Sequence, residues 1–344
     1  MRNYLIDRMK RIPLHPVNNV NWDGLKEFLK MDKKETDLLV TMCPSFPHFN
    51  RFAHDHRVAG IRFNSAMITL DELDQDLARL KKTPTRTPVY YDVKSRQMRI
   101  LEVGNKDGNL ILEINHPIRV DTPTVVLFKA GADVALLDHI EGYGHRLVFK
   151  GGPQFNLIPG ESLHIRDKSF RNLRGETKDD NVFTELERKK IQKVKEAGFK
   201  KYFLSYVEKQ SDIDIFQEMV GKDVEIWLKI ESIPGMEFVQ NSFQKRDNLV
   251  LVAARGDLFV ELDMPHHMIQ ALRLIIQKDP EACVGSRLLL SIVNDPVPSC
   301  ADLLEIAWLH DVGYRRMMLC DEICLKENLL ASAVAAFEGT KRDL

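Results

Sequence analysis

The chain has 344 residues, 44% of them hydrophobic, enough for one large domain with a full core and a smaller one beside it. Lys and Arg total 49 against 50 Asp and Glu, a net charge of −1, so no global field argues for nucleic acid or a membrane surface, and any anion site must be local. The five cysteines form no CxxC pair, as expected of reduced thiols, and neither a signal peptide nor an apolar run near the roughly 18 residues that span a bilayer is present, so a soluble cytoplasmic protein is expected.

In chain order, residues 1–35 read as a helical lead-in whose segment Trp22–Met31 is amphipathic. From Thr36 short apolar strands alternate with longer helical segments, the pattern of a parallel sheet wrapped by helices. The expected strands are Leu38–Met42, Ala59–Phe63, Val89–Tyr91, Tyr202–Val207, Val224–Ile230, Leu249–Ala254, Leu288–Val293 and Arg316–Leu319. Helical patterns fall at Leu70–Lys81, Thr184–Ala197, Asp212–Val220, Pro234–Gln240, Pro265–Gln277, Cys300–His310 and Lys326–Phe337. Eight strands with intervening helices predict a closed (β/α)8 TIM barrel over residues 36–94 and 182–344. The pieces ILEVG, LILEI, TVVLF, DVALL, HRLVF and SLHIR break this rhythm and predict a small all-β domain, residues 95–181, inserted after the third strand. Such insertions commonly become lids.

Charged groups recur where the strands end. In Val224–Ile230 the strand period of two places Lys229 and Glu231 on one face, and Leu249–Ala254, apolar throughout, is followed by Arg255-Gly256-Asp257. The second strand ends at Arg62 and Asn64, the third at Asp92 and Lys94 with Arg99 beyond, and the seventh carries Ser291. Glu231 and Asp257, on neighbouring strands, suit a hard divalent ion such as magnesium. Arg62, Arg99 and Lys229 suit phosphate or carboxylate, and the backbone amides of Gly256 and Asp257 could hold a carboxylate at a helix start. Together they describe stabilisation of an enolate or phosphoryl transfer.

These residues resemble the pyruvate kinase family. Its fifth-strand Lys-Ile-Glu is found as Lys229-Ile230-Glu231, and its Ala-Arg-Gly-Asp-Leu as Ala254-Arg255-Gly256-Asp257-Leu258. Gly60 to Asn64 resembles the family's Arg-x-Asn, Asp92-Val93-Lys94 with Arg99 its Asp-Thr-Lys followed by Arg, and Ser205-Tyr206 its Ser-Phe. The resemblance implies that Lys229 stabilises the enolate and the transferring phosphoryl group, that Glu231 and Asp257 bind magnesium or manganese, and that Arg62 contacts phosphate. It places Ser291 near the threonine that assists enolate protonation, and it implies phosphoenolpyruvate or a 2-oxo acid as substrate, with ADP or ATP as nucleotide.

Departures fall on the nucleotide and cation side. Asn64 and Asp92 would hold potassium, but Ser65-Ala66-Met67 replaces Phe-Ser-His and Val93 replaces threonine, so the set is incomplete. Ser95-Arg96-Gln97 replaces Gly-Pro-Glu, Phe259 a glycine, and Cys320-Asp321-Glu322-Ile323 the family's Ser-Gly-Glu-Thr. The resemblance stops at Leu344, without the C-terminal effector domain, so regulation of that type is not expected and association into homo-oligomers is left open. Two other readings stay open: a 2-oxo acid lyase or aldolase that keeps the enolate step, and a catalytically silent regulatory barrel.

Overall fold

The computed structural model describes residues 35–64, 66, 68–128, 131, 133–154, 156–173 and 182–344, so the expected lead-in helix lies outside the described residues. From Thr36 the chain enters β1 (Asp37–Thr41), a short helix α1 (Phe49–Ala53), β2 (Gly60–Asn64), α2 (Leu70–Lys82) and β3 (Val89–Val93). Helix α2 starts where its sequence says it should. The Thr69 hydroxyl accepts the Glu72 N–H while the Glu72 carboxylate accepts the Thr69 N–H, a reciprocal cap whose loss typically costs about 1 kcal/mol.

After β3 come β4 (Ile100–Lys106), β5 (Asn109–Ile114), β6 (Ile118–Arg119), β7 (Thr124–Phe128), β8 (Asp133–Glu141), β9 (Arg146–Lys150), β10 (Leu163–Ile165) and β11 (Arg171–Asn172). Six of them form one antiparallel sheet in the order β10-β7-β8-β9-β5-β4, and β11 pairs with β6. Their apolar faces meet in a separate core that includes Ile100, Leu112, Phe128, Leu137 and Phe149.

The chain then runs through α3 (Glu185–Glu196), β12 (Lys201–Leu204), α4 (Gln210–Val220), β13 (Glu225–Ile230), α5 (Ile233–Asn241), β14 (Leu249–Ala254), α6 (Arg255–Glu261), α7 (His267–Lys278), β15 (Cys283–Gly285), α8 (Cys300–Val312), β16 (Arg316–Met318), α9 (Asp321–Cys324) and α10 (Glu327–Asp343). Eight parallel strands close into a barrel in the order β1-β16-β15-β14-β13-β12-β3-β2. The fold is a (β/α)8 barrel. No helix among the described residues is long and apolar enough to cross a membrane.

The seventh strand needs correcting. It is Cys283–Gly285, and the run Leu288–Val293 expected there is instead a turn in which Ser286, Arg287 and Leu289 have φ of 66, 61 and 54° before a single 3-10 turn at Leu290–Val293. The run is apolar because Leu288, Leu289 and Ile292 are buried in the core, and a short apolar run does not distinguish a strand from a buried turn. The fourth strand is likewise shorter than expected, since Tyr206 takes a left-handed φ of 49°.

Period two sorts the barrel strands into two faces. Leu38, Val40, Ile226 and Leu228 face the helices, in the main core. Leu39, Tyr90, Phe203, Trp227, Val250 and Met318 form a second cluster. The Trp227 ring lies 4.9 Å from that of Tyr90 and 5.2 Å from that of Phe203, contacts worth about 0.5–1.5 kcal/mol each beyond their burial. Two residues further along the same strands stand Asp92, Ser205 and Lys229, so the aromatic layer forms the floor beneath the charged one.

Candidate active site

The charged layer opens into a cleft of about 1100 Å³ between the barrel mouth and the inserted sheet. At its base the Lys229 ammonium lies 2.8 Å from Glu231 Oε1, donates to Ser205 Oγ at 3.0 Å and sits 3.8 Å from Asp92. Glu231 is 1% exposed, and its other oxygen accepts the Tyr206 N–H at 2.8 Å. That N–H is turned toward Glu231 by a residue in the left-handed region, an ordinarily unfavourable conformation for a tyrosine.

Asp257, in the first turn of α6, lines the cleft with Glu231. Its Oδ2 accepts from Gln97 Nε2 at 3.0 Å, and its Oδ1 lies 3.2 Å from His164 Nε2. That contact is an ion pair without the alignment of a good hydrogen bond. His164 is 1% exposed and reaches from β10, with Nδ1 2.9 Å from Glu261. Burial would depress its pKa, but Asp257 and Glu261 outweigh that and push it up to about 10, so the ring is a cation.

Burial raises the Glu231 carboxyl above the usual range, and the neighbouring Asp257 charge adds to the rise against Lys229. For Asp257 burial acts the same way but is overcome by His164 and Lys229, which hold it well below that range. A cleft-lining acid pair of this kind fits a divalent cation, whose charge would relieve the repulsion. Among the described residues no third acidic, histidine or cysteine ligand joins them, so water and substrate would complete the coordination.

Asp92 and Asn64, the residues expected to hold a monovalent cation, are engaged by protein groups. Asp92, fully buried, already receives Arg62 Nε at 2.7 Å and Lys94 Nζ at 2.6 Å on one oxygen and Ser205 Oγ at 3.3 Å on the other. Asn64 Oδ1 accepts the Ala66 N–H, and its amide donates to Asp321 Oδ1 at 2.8 Å. Protein ammonium and guanidinium groups supply the positive charge around Asp92. Lys94 carries the cost: burial first, then Lys229 and Arg62, outweigh Asp92 and lower its pKa to about 7.

Lys229, Arg62, Arg99, Gly256, Asp257, Glu231 and Asn64 thus line one cleft, with Asp92 directly behind Arg62. Arg99 hydrogen-bonds the Gly160 carbonyl and the Gln97 side chain. Ser291 is elsewhere: its hydroxyl donates to Asp302 and accepts the Ser299 N–H at 2.8 Å, bracing the start of α8. With the seventh strand ending at Gly285, the hydroxyl at the mouth is that of Ser286, which lines the cleft next to Gly256. His164 is the other residue not singled out from sequence. Alternation in SLHIR was its one signal, because it sets His164 opposite Leu163 and Ile165, both of which belong to the sheet's core.

No family model matches the chain. It is similar to the pyruvate kinase of Methanocaldococcus jannaschii, 26% identical over 309 residues, which cover 84% of this chain and 65% of that protein. The pyruvate kinase of Thermoplasma acidophilum is 29% identical over 294 residues, 79% of this chain and 51% of that one. That of Dictyostelium discoideum is 24% identical over 251 residues, 66% and 49% respectively. The chain spans about half to two thirds of the length of these relatives.

Proposed function

We propose that this chain, a relative of the pyruvate kinases, forms and reprotonates the enolate of pyruvate or a closely similar 2-oxo acid. The observation that carries the reading is a buried ammonium, Lys229, at the base of a cleft that also holds Glu231 and Asp257. Magnesium or manganese held by Glu231 and Asp257 would polarise the oxygens of the substrate.

The side chains supply the rest. Lys229 offers a fixed positive charge where the enolate oxygen develops, and in a buried site that charge is screened less than in water. Ser205 and Asp92 hold its ammonium in place. The backbone N–H groups of Gly256 and Asp257, in the first turn of α6, have no intrahelical acceptor and are assigned to the substrate carboxylate. Ser286, beside Gly256 on the cleft wall, would relay a proton from solvent to the enolate carbon, and the inserted six-stranded sheet would act as a lid that excludes water.

Phosphoryl transfer between phosphoenolpyruvate and ADP is the fuller version of this chemistry, and Arg62 and Arg99 would serve it. The lyase-type version, enolate chemistry without that transfer, is favoured by one observation: Arg62 is already matched by two carboxylates, Asp92 and Asp321. Binding of oxalate, a planar mimic of enolpyruvate, tests the shared part. Titration calorimetry with magnesium present should show binding that Lys229→Met abolishes. A wild-type protein that does not bind oxalate would remove the reading.

A further inference from the structure

We infer that Asp321 sets the substrate class of this cleft by excluding a phosphoryl group from Arg62, so that the site takes a non-phosphorylated 2-oxo acid. The inference rests on the enolate reading above and deepens it.

The residue is conspicuous in sequence, since it stands where the resemblance expects the glycine of Ser-Gly-Glu-Thr. The barrel carries it to the mouth directly, because β16 ends at Met318 and α9 begins at Asp321. Its Oδ1 accepts from Asn64 Nδ2 at 2.8 Å and its Oδ2 lies 3.3 Å from Arg62 Nη1. The side chain is 44% exposed and lines the cleft, so it occupies the space in front of Arg62.

The opposite edge of the guanidinium is bound to Asp92, with Nε at 2.7 Å and Nη2 at 2.6 Å. Arg62 therefore lies between two carboxylates. It shares Asp92 Oδ2 with Lys94 Nζ at 2.6 Å, whereas Asp321 hydrogen-bonds no other cation among the described residues. The remaining partner of Nη1 is the Thr41 hydroxyl. A phosphate dianion approaching that guanidinium would have to displace Asp321 from both Arg62 and Asn64, then remain beside the displaced charge. Glu322, which also lines the cleft, adds a further negative charge. A 2-oxo acid carries one carboxylate and an uncharged carbonyl. It can use Lys229 and the α6 amides without Arg62, and so avoids the conflict. Like charges held a few ångströms apart in a partly desolvated cleft are worth enough to reverse a preference between two otherwise similar ligands.

A sealing ion pair that merely braces α9 would have the same contacts, and ligand binding separates the two roles. Calorimetry on the full chain would use three probes, oxalate, phosphoenolpyruvate and inorganic phosphate, with the wild type, Asp321→Asn, Asp321→Gly and Asp321→Glu. The wild type should bind phosphoenolpyruvate at least about tenfold more weakly than oxalate, and the ratio should shift by a similar factor toward phosphoenolpyruvate in the Asn and Gly variants but not in Glu. Inorganic phosphate should follow the same order.

Wild-type affinity for phosphoenolpyruvate equal to that for oxalate overturns the inference even if no variant folds. Oxalate binding with no gain of phosphate affinity in either neutral variant also overturns it, and spares the enolate reading. Gain of phosphate affinity in those variants without oxalate binding in any protein leaves Asp321 as the excluding residue and removes the enolate reading.

Discussion

Lys229 Nζ and Glu231 Oε1 lie 2.8 Å apart at the C-terminal end of β13, both almost fully buried, with Asp257 and the cleft beyond them. A buried ion pair of this kind gains little over an apolar substitute, because desolvating two charges cancels most of their attraction. What it provides is a fixed ammonium and a fixed carboxylate at one point of the cleft. If Glu231 and Asp257 hold a divalent cation, magnesium should raise the unfolding temperature of the wild type. At a concentration about 100 times its dissociation constant, the cation would stabilise the folded state by roughly 2.7 kcal/mol. Differential scanning calorimetry should show that shift and its loss in Glu231→Gln and Asp257→Asn. Equal magnesium responses in all three proteins would contradict the metal assignment.

Lys94 gives a pH prediction. Its pKa falls from the ordinary 10.5 to about 7 on folding, because burial and the neighbouring Lys229 and Arg62 outweigh Asp92. Between those two values the unfolded chain binds a proton that the folded chain does not, so this group makes stability rise with pH from about 7 toward 10.5 and leaves it flat below. Urea unfolding at pH 7 and at pH 9 should show a positive slope in the wild type that is reduced in Lys94→Met. An unchanged slope would mean that the lysine stays charged.

The two serines near the seventh strand should part company. Ser291 takes the Ser299 N–H and bonds Asp302, and the Ser299–Asp302 cap is itself reciprocal, so Ser291→Ala should cost about 1 kcal/mol of stability with little effect on ligand binding. Ser286→Ala should leave stability nearly unchanged and slow proton exchange at the substrate carbon. Chemical denaturation paired with an exchange assay separates these outcomes.

Thiol chemistry tests the packing of the barrel. Burial pushes the Cys43 and Cys320 thiols up to about 12 and raises Cys283 and Cys324 as well, while Cys300 is exposed at the start of α8. At pH 8 one thiol per folded chain should react with an aromatic disulfide reagent, and five after denaturation. Rapid reaction of Cys43 or Cys320 would show that the cleft wall opens.

The barrel is legible in the sequence where local pattern and tertiary burial agree. Val224–Ile230 alternates, Leu249–Ala254 is apolar throughout, and both become strands close to the expected bounds. Leu288–Val293 is as apolar as either but folds as a turn, because the chain enters the left-handed region at Ser286, Arg287 and Leu289, which no strand can follow. With that turn, the hydroxyl lining the cleft is Ser286 rather than Ser291. The contacts of His164 with Asp257 and of Asp321 with Arg62 join residues far apart in the chain, and no local pattern announces them. Period two reveals from sequence alone that Lys229 and Glu231 share a face, whereas Asp92 is marked only by its place at the end of the third strand.

The most direct test of the central claim is exchange of the pyruvate methyl protons with deuterated solvent, followed by proton NMR with magnesium present, in the wild type and in Lys229→Met. The account predicts exchange in the wild type without added nucleotide, and a loss of at least about a hundredfold in the variant, the scale expected when a charge aimed at the developing oxyanion is removed. Equal exchange rates in the two proteins, or none in the wild type with pyruvate or any similar 2-oxo acid, would contradict it.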